Sequence, residues 1–184
     1  SIYDLVAGDY TLVIDGVSDT VGSYTYQLID LGSAAAISAG TAVSGTLNPA
    51  NSTLVYKFDA TAGERYFFDR TTNPGGDTYW RLLDPFGRTV WGPSGLGSDV
   101  DVRTLETSGT YTLLVEGRYY VGGTASFGFN LQRVADDTAA IALDTLVTGD
   151  IAHAGQRDFH TFSLGETKRI VVDSQTNDGS FRWA

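Results

Sequence analysis

Apolar and polar residues alternate with a period of two along the middle of the chain, which is typical of β-strands with one buried face. No segment of useful length follows the helical period, and Thr138–Asp144, the best candidate, is interpreted as a short linker or turn. The pattern therefore predicts an all-β protein. The rows expected to face inward are Leu54, Tyr56 and Phe58; Tyr66 and Phe68; Trp80 and Leu82; Val100 and Val102; Tyr111, Leu113 and Val115; and Phe127, Phe129 and Leu131.

Turn-forming residues separate these rows at intervals of roughly eight to twelve residues, as in a β-sandwich. Since strands with one apolar face must bury it against a second layer, we expect two packed sheets. The fold class predicted is an antiparallel β-sandwich of jelly-roll or immunoglobulin-like size. The turn signals are Asn48-Pro49, Ala62-Gly63-Glu64, Asn73-Pro74-Gly75-Gly76, Asp84-Pro85-Phe86-Gly87, Pro93-Ser94-Gly95, Ser108-Gly109 and Gly122-Gly123.

The sequence also contains similar segments that recur at a regular spacing. Residues 8–16 recur as residues 109–117, an offset of 101 residues, and residues 43–45 recur as residues 147–149, an offset of 104 residues. Two separate blocks with nearly one spacing indicate a tandem repeat of about 100 residues. Further matching pairs are Tyr24 with Phe127, Tyr26 with Phe129, Leu28 with Leu131, Phe58 with Phe162, Asp69 with Asp173, and Thr72-Asn73 with Thr176-Asn177.

This repeat predicts three parts. Residues 36–134 form a complete sandwich, residues 1–32 carry the C-terminal strands of a preceding repeat, and residues 138–184 carry the N-terminal strands of a following, truncated repeat, which ends near Trp183, the counterpart of Trp80. We expect the chain to be a fragment of a longer array.

The composition of the chain limits the classes of partner that it can bind. The chain has 22 acidic and 12 basic residues and a net charge of −10, which disfavours nucleic acid and anionic membrane surfaces. It contains no cysteine and no apolar run near 18 residues, so we expect neither thiolate chemistry nor membrane insertion.

An ordered set of motifs resembles the bacterial pre-peptidase C-terminal domain. The resemblance implies a β-sandwich module of a secreted or cell-surface bacterial protein. One departure concerns the acidic residue that many family members carry just before the strand that holds Tyr56 and Phe58. Residues 51–54 lack this acid, whereas the following copy retains it as Asp158. The motifs are Val43-Ser44-Gly45-Thr46-Leu47, Val55-Tyr56-Lys57-Phe58, Ala62-Gly63-Glu64, Leu82-Leu83-Asp84-Pro85-Phe86-Gly87, and Ser108-Gly109-Thr110-Tyr111-Thr112-Leu113-Leu114-Val115.

Three aromatic residues are candidates for ligand binding. Tyr119 and Tyr120 lie in a predicted hairpin loop, and Trp91 ends a predicted strand. Exposed rings stack on sugars or on a protein partner. The alternative is that these rings cover the ends of the sandwich or the module junctions.

Four carboxylates are candidate Ca²⁺ ligands, namely Asp77, Asp84, Asp99 and Asp101, because Ca²⁺ prefers oxygen donors in loops. The alternative is that Asp84 forms a turn and that Asp99 and Asp101 lie on the solvent face of a strand. No cofactor is required by the sequence, and Ca²⁺ is the one it would suit.

We expect no catalytic residues. The two histidines, His153 and His160, lie outside the complete unit, and His160 aligns with Tyr56, which predicts a packed, half-buried ring. The function expected is a structural spacer in a large extracellular surface protein, adhesin or filament, whose partners are copies of itself or neighbouring repeats joined by strand complementation. The alternative is an accessory module that binds a polysaccharide or matrix protein for a secreted enzyme or adhesin.

Overall fold

The computed structural model describes residues 2–72, 74 and 77–182. Within these residues the secondary structure is eleven strands and one 3-10 turn, Leu31–Ser33, and no helix has the length and hydrophobicity needed to cross a membrane. The strands are β1 Ala35–Ala36, β2 Ala42–Leu47, β3 Thr53–Ala60, β4 Arg65–Thr72, β5 Thr78–Leu83, β6 Thr89–Gly95, β7 Val100–Thr104, β8 Gly109–Gly117, β9 Ala125–Val134, β10 Asp137–Ala140 and β11 Asp158–Thr161.

The first nine strands form two sheets. The five-stranded sheet has the order β1-β3-β8-β5-β6, and the four-stranded sheet has the order β2-β9-β4-β7. All their ladders are antiparallel except the short parallel pair β1–β3. The all-β sandwich predicted from the alternating pattern is confirmed. A separate two-stranded ladder joins β10 to β11 in parallel.

The core lies between the two sheets and is rich in aromatic rings. Phe68 packs edge to face on Trp80 and on Trp91, with ring centroids 6.4 Å and 4.9 Å apart, and Phe58 stacks on Tyr111 at 5.7 Å. Each fully buried large side chain contributes roughly 1.5–3 kcal/mol relative to exposure. The predicted inward rows are buried, except that Leu54, Tyr56 and Val102 are only partly covered.

Some core residues lie outside the predicted inward rows, and two of them follow the end of a strand. Leu96 and Leu105 are fully buried although each follows the last residue of a strand. Leu47, at the end of β2, is also fully buried. Period-two patterns identify the face of a strand but not the loops that fold back over its end.

The turn at Asp84–Gly87 forms as predicted. Gly87 N–H donates to the Asp84 carbonyl at 2.9 Å, and Gly87 has a positive φ of 75°. The predicted turn at Pro93-Ser94-Gly95 is wrong, since these residues continue β6. Because β6 is the edge strand of its sheet, a proline is tolerated there, and a register shift between Trp80 and Leu82 absorbs the irregularity.

The flanking segments differ from the sandwich. Residues 2–30 contain no strand, and neither do residues 141–157 or 162–182. Residues 138–140, predicted as part of a short linker or turn, instead belong to β10. The tandem repeat and its boundaries at 1–32, 36–134 and 138–184 remain predictions.

Candidate functional site

The loop between β8 and β9 is held firmly at its base. Gly117 N–H donates to Ser52 O at 2.9 Å, and Ala50 N–H donates to Gly123 O at 2.8 Å. Gly117 lies so close to Ala50 that an added Cβ would sit 1.7 Å from the Ala50 carbonyl oxygen. The position therefore requires glycine, and both ends of the loop are tied to the turn between β2 and β3.

Two tyrosines project from this loop. Tyr119 is 88% exposed and Tyr120 is 63% exposed, and their rings meet edge to face with centroids 5.1 Å apart. Val121 N–H donates to Arg118 O at 2.9 Å, which closes the turn that carries them, and the Val121 side chain packs against the core. We call residues 118–121 the tyrosine loop. It presents two aromatic surfaces on a short, anchored segment.

Neighbouring polar groups from β5 and the residue before it orient the tyrosine loop. The Tyr120 hydroxyl donates a hydrogen bond to the Asp77 carboxylate, and this bond raises the pKa of the Tyr120 phenol. The Arg118 guanidinium lies 3.4 Å from the centroid of the Tyr79 ring, a cation–π arrangement. Asp77 and Tyr120, predicted for separate roles, are thus brought together, and Arg118 and Tyr79 join them.

Sequence reasoning missed Arg118 and Tyr79. The available signal was the position of Arg118 directly before the tyrosine pair, but the approach of Tyr79 depends on the pairing of β5 with β8, which joins Thr78 to Gly117. Pairing between strands distant in sequence is set by sheet order rather than by local pattern.

Trp91 does not belong to this surface. Its ring is buried in the core, 4.9 Å from Phe68 and 5.5 Å from Trp80 between centroids. The prediction of an exposed ring at Trp91 is therefore wrong, because β6 continues beyond this residue and turns it toward the opposite sheet. Trp91 stabilises the sandwich and is not accessible to a ligand.

The four carboxylates predicted as Ca²⁺ ligands are not gathered. Asp84 accepts from Phe86 N–H and Arg88 N–H, both at 2.9 Å, Asp99 accepts from Arg70 N–H at 2.9 Å, and Asp101 accepts from its neighbour Val102. In the part of the chain that the structure describes, no three acidic or histidine side chains are grouped as a metal ion would need.

Asp84 acts as a turn residue. Burial works to raise its pKa, but hydrogen bonds from Arg88 and Phe86 outweigh that effect, and the pKa is lowered. The carboxylate therefore stays ionised and holds the β5–β6 turn, including an ion pair of 2.7 Å with Arg88. The geometry of Asp84 fits the alternative in which this residue forms a turn.

A second polar cluster lies where the sandwich meets the following segment. Arg65 forms an ion pair with Asp136 and lowers the pKa of that carboxyl. The Asp136 carboxylate also accepts a hydrogen bond from Arg157 N–H at 3.0 Å. Gln156 is buried and donates to Asp137 at 3.1 Å and to Asp158 at 2.9 Å. The Arg65–Asp136 ion pair ties this segment to β4 of the sandwich, and the Gln156 bonds link β10 to β11.

The histidines lie in that following segment. His153 and His160 are both exposed, so the prediction of a half-buried His160 is wrong. Its counterpart Tyr56 is partly covered by Phe127 and Phe129 of the opposite sheet. Among the described residues no second sheet faces β11.

Comparison with known proteins finds likeness only in shape. No family model matches the chain, and no curated protein matches it. Similar solved structures include PliG of Aeromonas hydrophila, a periplasmic lysozyme inhibitor of g-type lysozyme, with 16% identity, a TM-score of 0.43, and coverage of 54% of this chain and 96% of that chain.

The corresponding inhibitor of Salmonella Typhimurium has 20% identity and a TM-score of 0.38, with coverage of 54% and 96%. The pre-peptidase C-terminal domain of a collagenase from Bacillus anthracis has 19% identity and a TM-score of 0.41, and covers 54% of this chain and 94% of that domain. The domain type named by the sequence motifs is thus among the similar structures. Likenesses of this size imply nothing about ligands.

Proposed function

We propose that this chain is a structural part of an extracellular bacterial protein built from tandem copies of the sandwich, in which each copy acts as a non-catalytic spacer. The copies would extend a surface protein, adhesin or filament, and stability would be the sum of each unit and its junctions.

One observation carries this proposal: the parallel pairing at the start of the sandwich recurs 104 residues further on. Ala35 pairs with Tyr56 and Ala36 with Lys57 in β1–β3. Ala139 pairs with His160 and Ala140 with Thr161 in β10–β11. This offset equals the 104 residues that separate residues 43–45 from residues 147–149, so the second ladder has the register that a following unit would need.

Backbone hydrogen bonds around the two ladders recur at the same spacing. Ile37 N–H donates to Lys57 O at 2.9 Å, and Ile141 N–H donates to Thr161 O at 2.8 Å. Likewise the bond from Ser52 N–H to Pro49 O, at 2.9 Å, has a counterpart from Gln156 N–H to His153 O, at 3.1 Å. These matches support the reading of residues 137–161 as the opening of another unit.

The test is to complete that unit. Continuing the chain after residue 183 with a second copy of residues 81–134 supplies the remaining strands. We expect residues 141–182 to gain slowly exchanging amides and the strand signal in circular dichroism to rise strongly. A control chain receives the same added residues in scrambled order. Unprotected amides at 141–182 in the completed chain would contradict the tandem-repeat proposal.

A second function, binding of a polysaccharide or matrix protein, is favoured by the tyrosine loop. The counterpart loop between residues 16 and 24 is two residues shorter than the one between Gly117 and Phe127, and it contains no tyrosine. A feature present in one copy and missing from another is not needed to build the sandwich. The exposed rings of Tyr119 and Tyr120 would then be the contact surface.

A further inference from the structure

The two flanking segments expose the side chains that the sandwich buries. In residues 35–134 the exposed large hydrophobic residues are Phe86, Val90, Tyr119 and Tyr120, whereas the flanks expose a long series of them between residues 3 and 29 and between residues 143 and 181. Leu12 is 56% exposed, but its counterpart Leu113 is fully buried. Phe162 is 43% exposed, but its counterpart Phe58 is 5% exposed.

The strand pairing in the sandwich predicts which segments the exposed apolar rows of the flanks would contact. β8 pairs with β3, and β9 lies between β2 and β4. Shifted by the repeat offsets, residues 8–16 would pair with residues 157–164, and residues 22–31 would lie between residues 146–151 and 169–176. No ladder joins these segments within the described chain, where each is left without those partners.

The strands for which the flanks hold no counterpart all lie on one side. β5 and β6 end the first sheet, and β7 ends the second. The counterparts present would form β1-β3-β8 facing β2-β9-β4, two contiguous three-stranded sheets with every internal ladder intact. Three strands with a packed apolar face are enough for an independently stable sheet.

Polar pairs that join neighbouring strands of the sandwich have complementary counterparts in the flanks, but the two members of each pair have exchanged positions. Arg133 forms an ion pair with Glu64 at 2.7 Å, and the counterparts are Asp30 and Lys168. Each pair joins opposite charges, but the acid and the base have changed strands.

Two hydrogen-bonded pairs behave in the same way. Thr110 Oγ1 donates to Asp59 at 2.6 Å, and the counterparts are Asp9 and Ser163. The hydroxyls of Thr46 and Ser126 lie 3.3 Å apart, and the counterparts are Asp150 and Ser23. Three cross-strand pairs that stay complementary after exchange indicate segments that fit each other and not merely apolar segments in general.

We infer that residues 8–31 of one copy of this chain complete a six-stranded sandwich with residues 137–176 of a second copy, giving head-to-tail association by strand complementation. The inference rests on the proposed function, because it takes the flanks as parts of the same unit. A head-to-tail contact of this kind produces open chains, or closed rings of two or more copies where the rotation between copies permits.

The first experiment follows the mass of the full chain by size exclusion with light scattering over a range of concentrations. We expect species heavier than the 19.7 kDa chain that grow with concentration. Leu12→Asp places a charge in the row that would be buried and should weaken association by at least about tenfold to a hundredfold. Thr11→Asp, one residue away on the other face, is the matched control and should associate like the unmodified chain.

The second experiment exchanges the charges of the flanking pair. Asp30→Lys alone and Lys168→Asp alone each place like charges together and should associate a few-fold more weakly. An equimolar mixture of the two variants restores opposite charges at every junction and should recover the association of the unmodified chain. Equal association by the mixture and the separate variants would overturn the assigned pairing.

A single-chain mass at every concentration would overturn the inference, including the case in which the two flanks of one chain pair with each other and show protected amides. This failure is separable from failure of the proposed function. If the chain extended by a second copy of residues 81–134 folds its second unit while the 184-residue chain stays monomeric, the repeat stands and the association does not.

Discussion

The same strand motif occurs twice in this chain, once inside a sandwich and once outside any sheet. Residues 109–117 form β8, paired on both sides, while residues 8–16 form no ladder. The two segments share Tyr, Thr and Leu at the same positions of the motif. Their difference shows that alternation makes a segment competent to form a strand, but partner strands decide whether it does.

The segment after the sandwich is an intermediate case. Residues 137–161 form one parallel ladder with the register of β1–β3, helped by the ion pair of Arg65 with Asp136 and the bonds of Gln156. Beyond residue 161 no ladder follows up to residue 182. If the tandem-repeat proposal holds, the start of a unit forms beside a completed neighbour, and the rest of that unit needs strands equivalent to β8 and β9 before it can fold.

The largest expected difference in the free energy of unfolding is between substitutions at Leu113 and at its counterpart Leu12. Leu113→Ala should lower the free energy of unfolding of the sandwich by about 2–5 kcal/mol, because it opens a cavity in a fully buried row. Leu12→Ala should change it by less than about 0.5 kcal/mol at concentrations too low for association. Urea unfolding followed by tryptophan fluorescence measures both. Equal losses would mean that residues 8–16 pack on the sandwich after all.

Alkaline pH should lower the stability of the sandwich through Tyr66, a residue that has no titratable counterpart in the following segment. Burial, with help from the hydrogen bond to Glu64, raises the pKa of Tyr66 from 10.0 to about 12. The neutral phenol is favoured in the fold, so its contribution to stability is present below pH 10 and is lost as the pH rises toward 12. The counterpart of Tyr66 is Ile170, which cannot titrate.

Comparing thermal unfolding of the unmodified chain and Tyr66→Phe between pH 9 and pH 12 isolates this effect from other groups that titrate there. We expect the variant to lose stability less steeply with pH. Parallel curves for the two proteins would show that the Tyr66 phenol does not stay neutral in the fold.

Acid should act through Glu64. Hydrogen bonds from Thr61 N–H and the Tyr66 hydroxyl, together with Arg133, lower the pKa of Glu64. Its contribution is therefore present above the unfolded value, near 4.5, and is lost as the pH falls below it. Glu64→Gln should cost less than about 1 kcal/mol at neutral pH and should flatten the acid slope of stability. Urea midpoints from pH 7 down to pH 3 give that slope, and an acid slope left unchanged by Glu64→Gln would show that these interactions do not lower the pKa of Glu64.

The smallest effect on stability is expected at the tyrosine loop. Tyr119→Ala combined with Tyr120→Ala should change the free energy of unfolding by less than about 0.5 kcal/mol, because both rings are exposed. Retention on insoluble polysaccharides and on fibrous matrix protein then separates the two proposed functions. Phe86→Ala, which removes another exposed ring in a different loop, is the control.

Retention that is lost in the double variant and kept in Phe86→Ala would assign binding to the tyrosine loop. If the unmodified chain is not retained on any of these materials, the loop is a surface feature of a spacer.

Much of the fold followed from the printed sequence. The inward rows from Phe58 to Leu131 and the turn at Asp84–Gly87 were predicted because both depend on neighbours within a few residues. The candidate site was predicted less well. The sequence pattern predicts an exposed Trp91 and a metal-binding Asp77. Both predictions fail to see contacts with distant parts of the chain, because Phe68 of β4 packs on Trp91 and Tyr120 binds Asp77.

The sequence by itself determined which residues can line a buried face, where most of the turns lie, and that the motif of residues 8–16 recurs at residues 109–117. Only the tertiary structure decided that β6 passes through Pro93, that Asp77 meets Tyr120, and that one copy of the motif is buried while the other lies open. The physical reason is that period and turn chemistry act locally, whereas burial requires a second surface, and the surface is supplied by strands whose order in the sheets differs from their order along the chain.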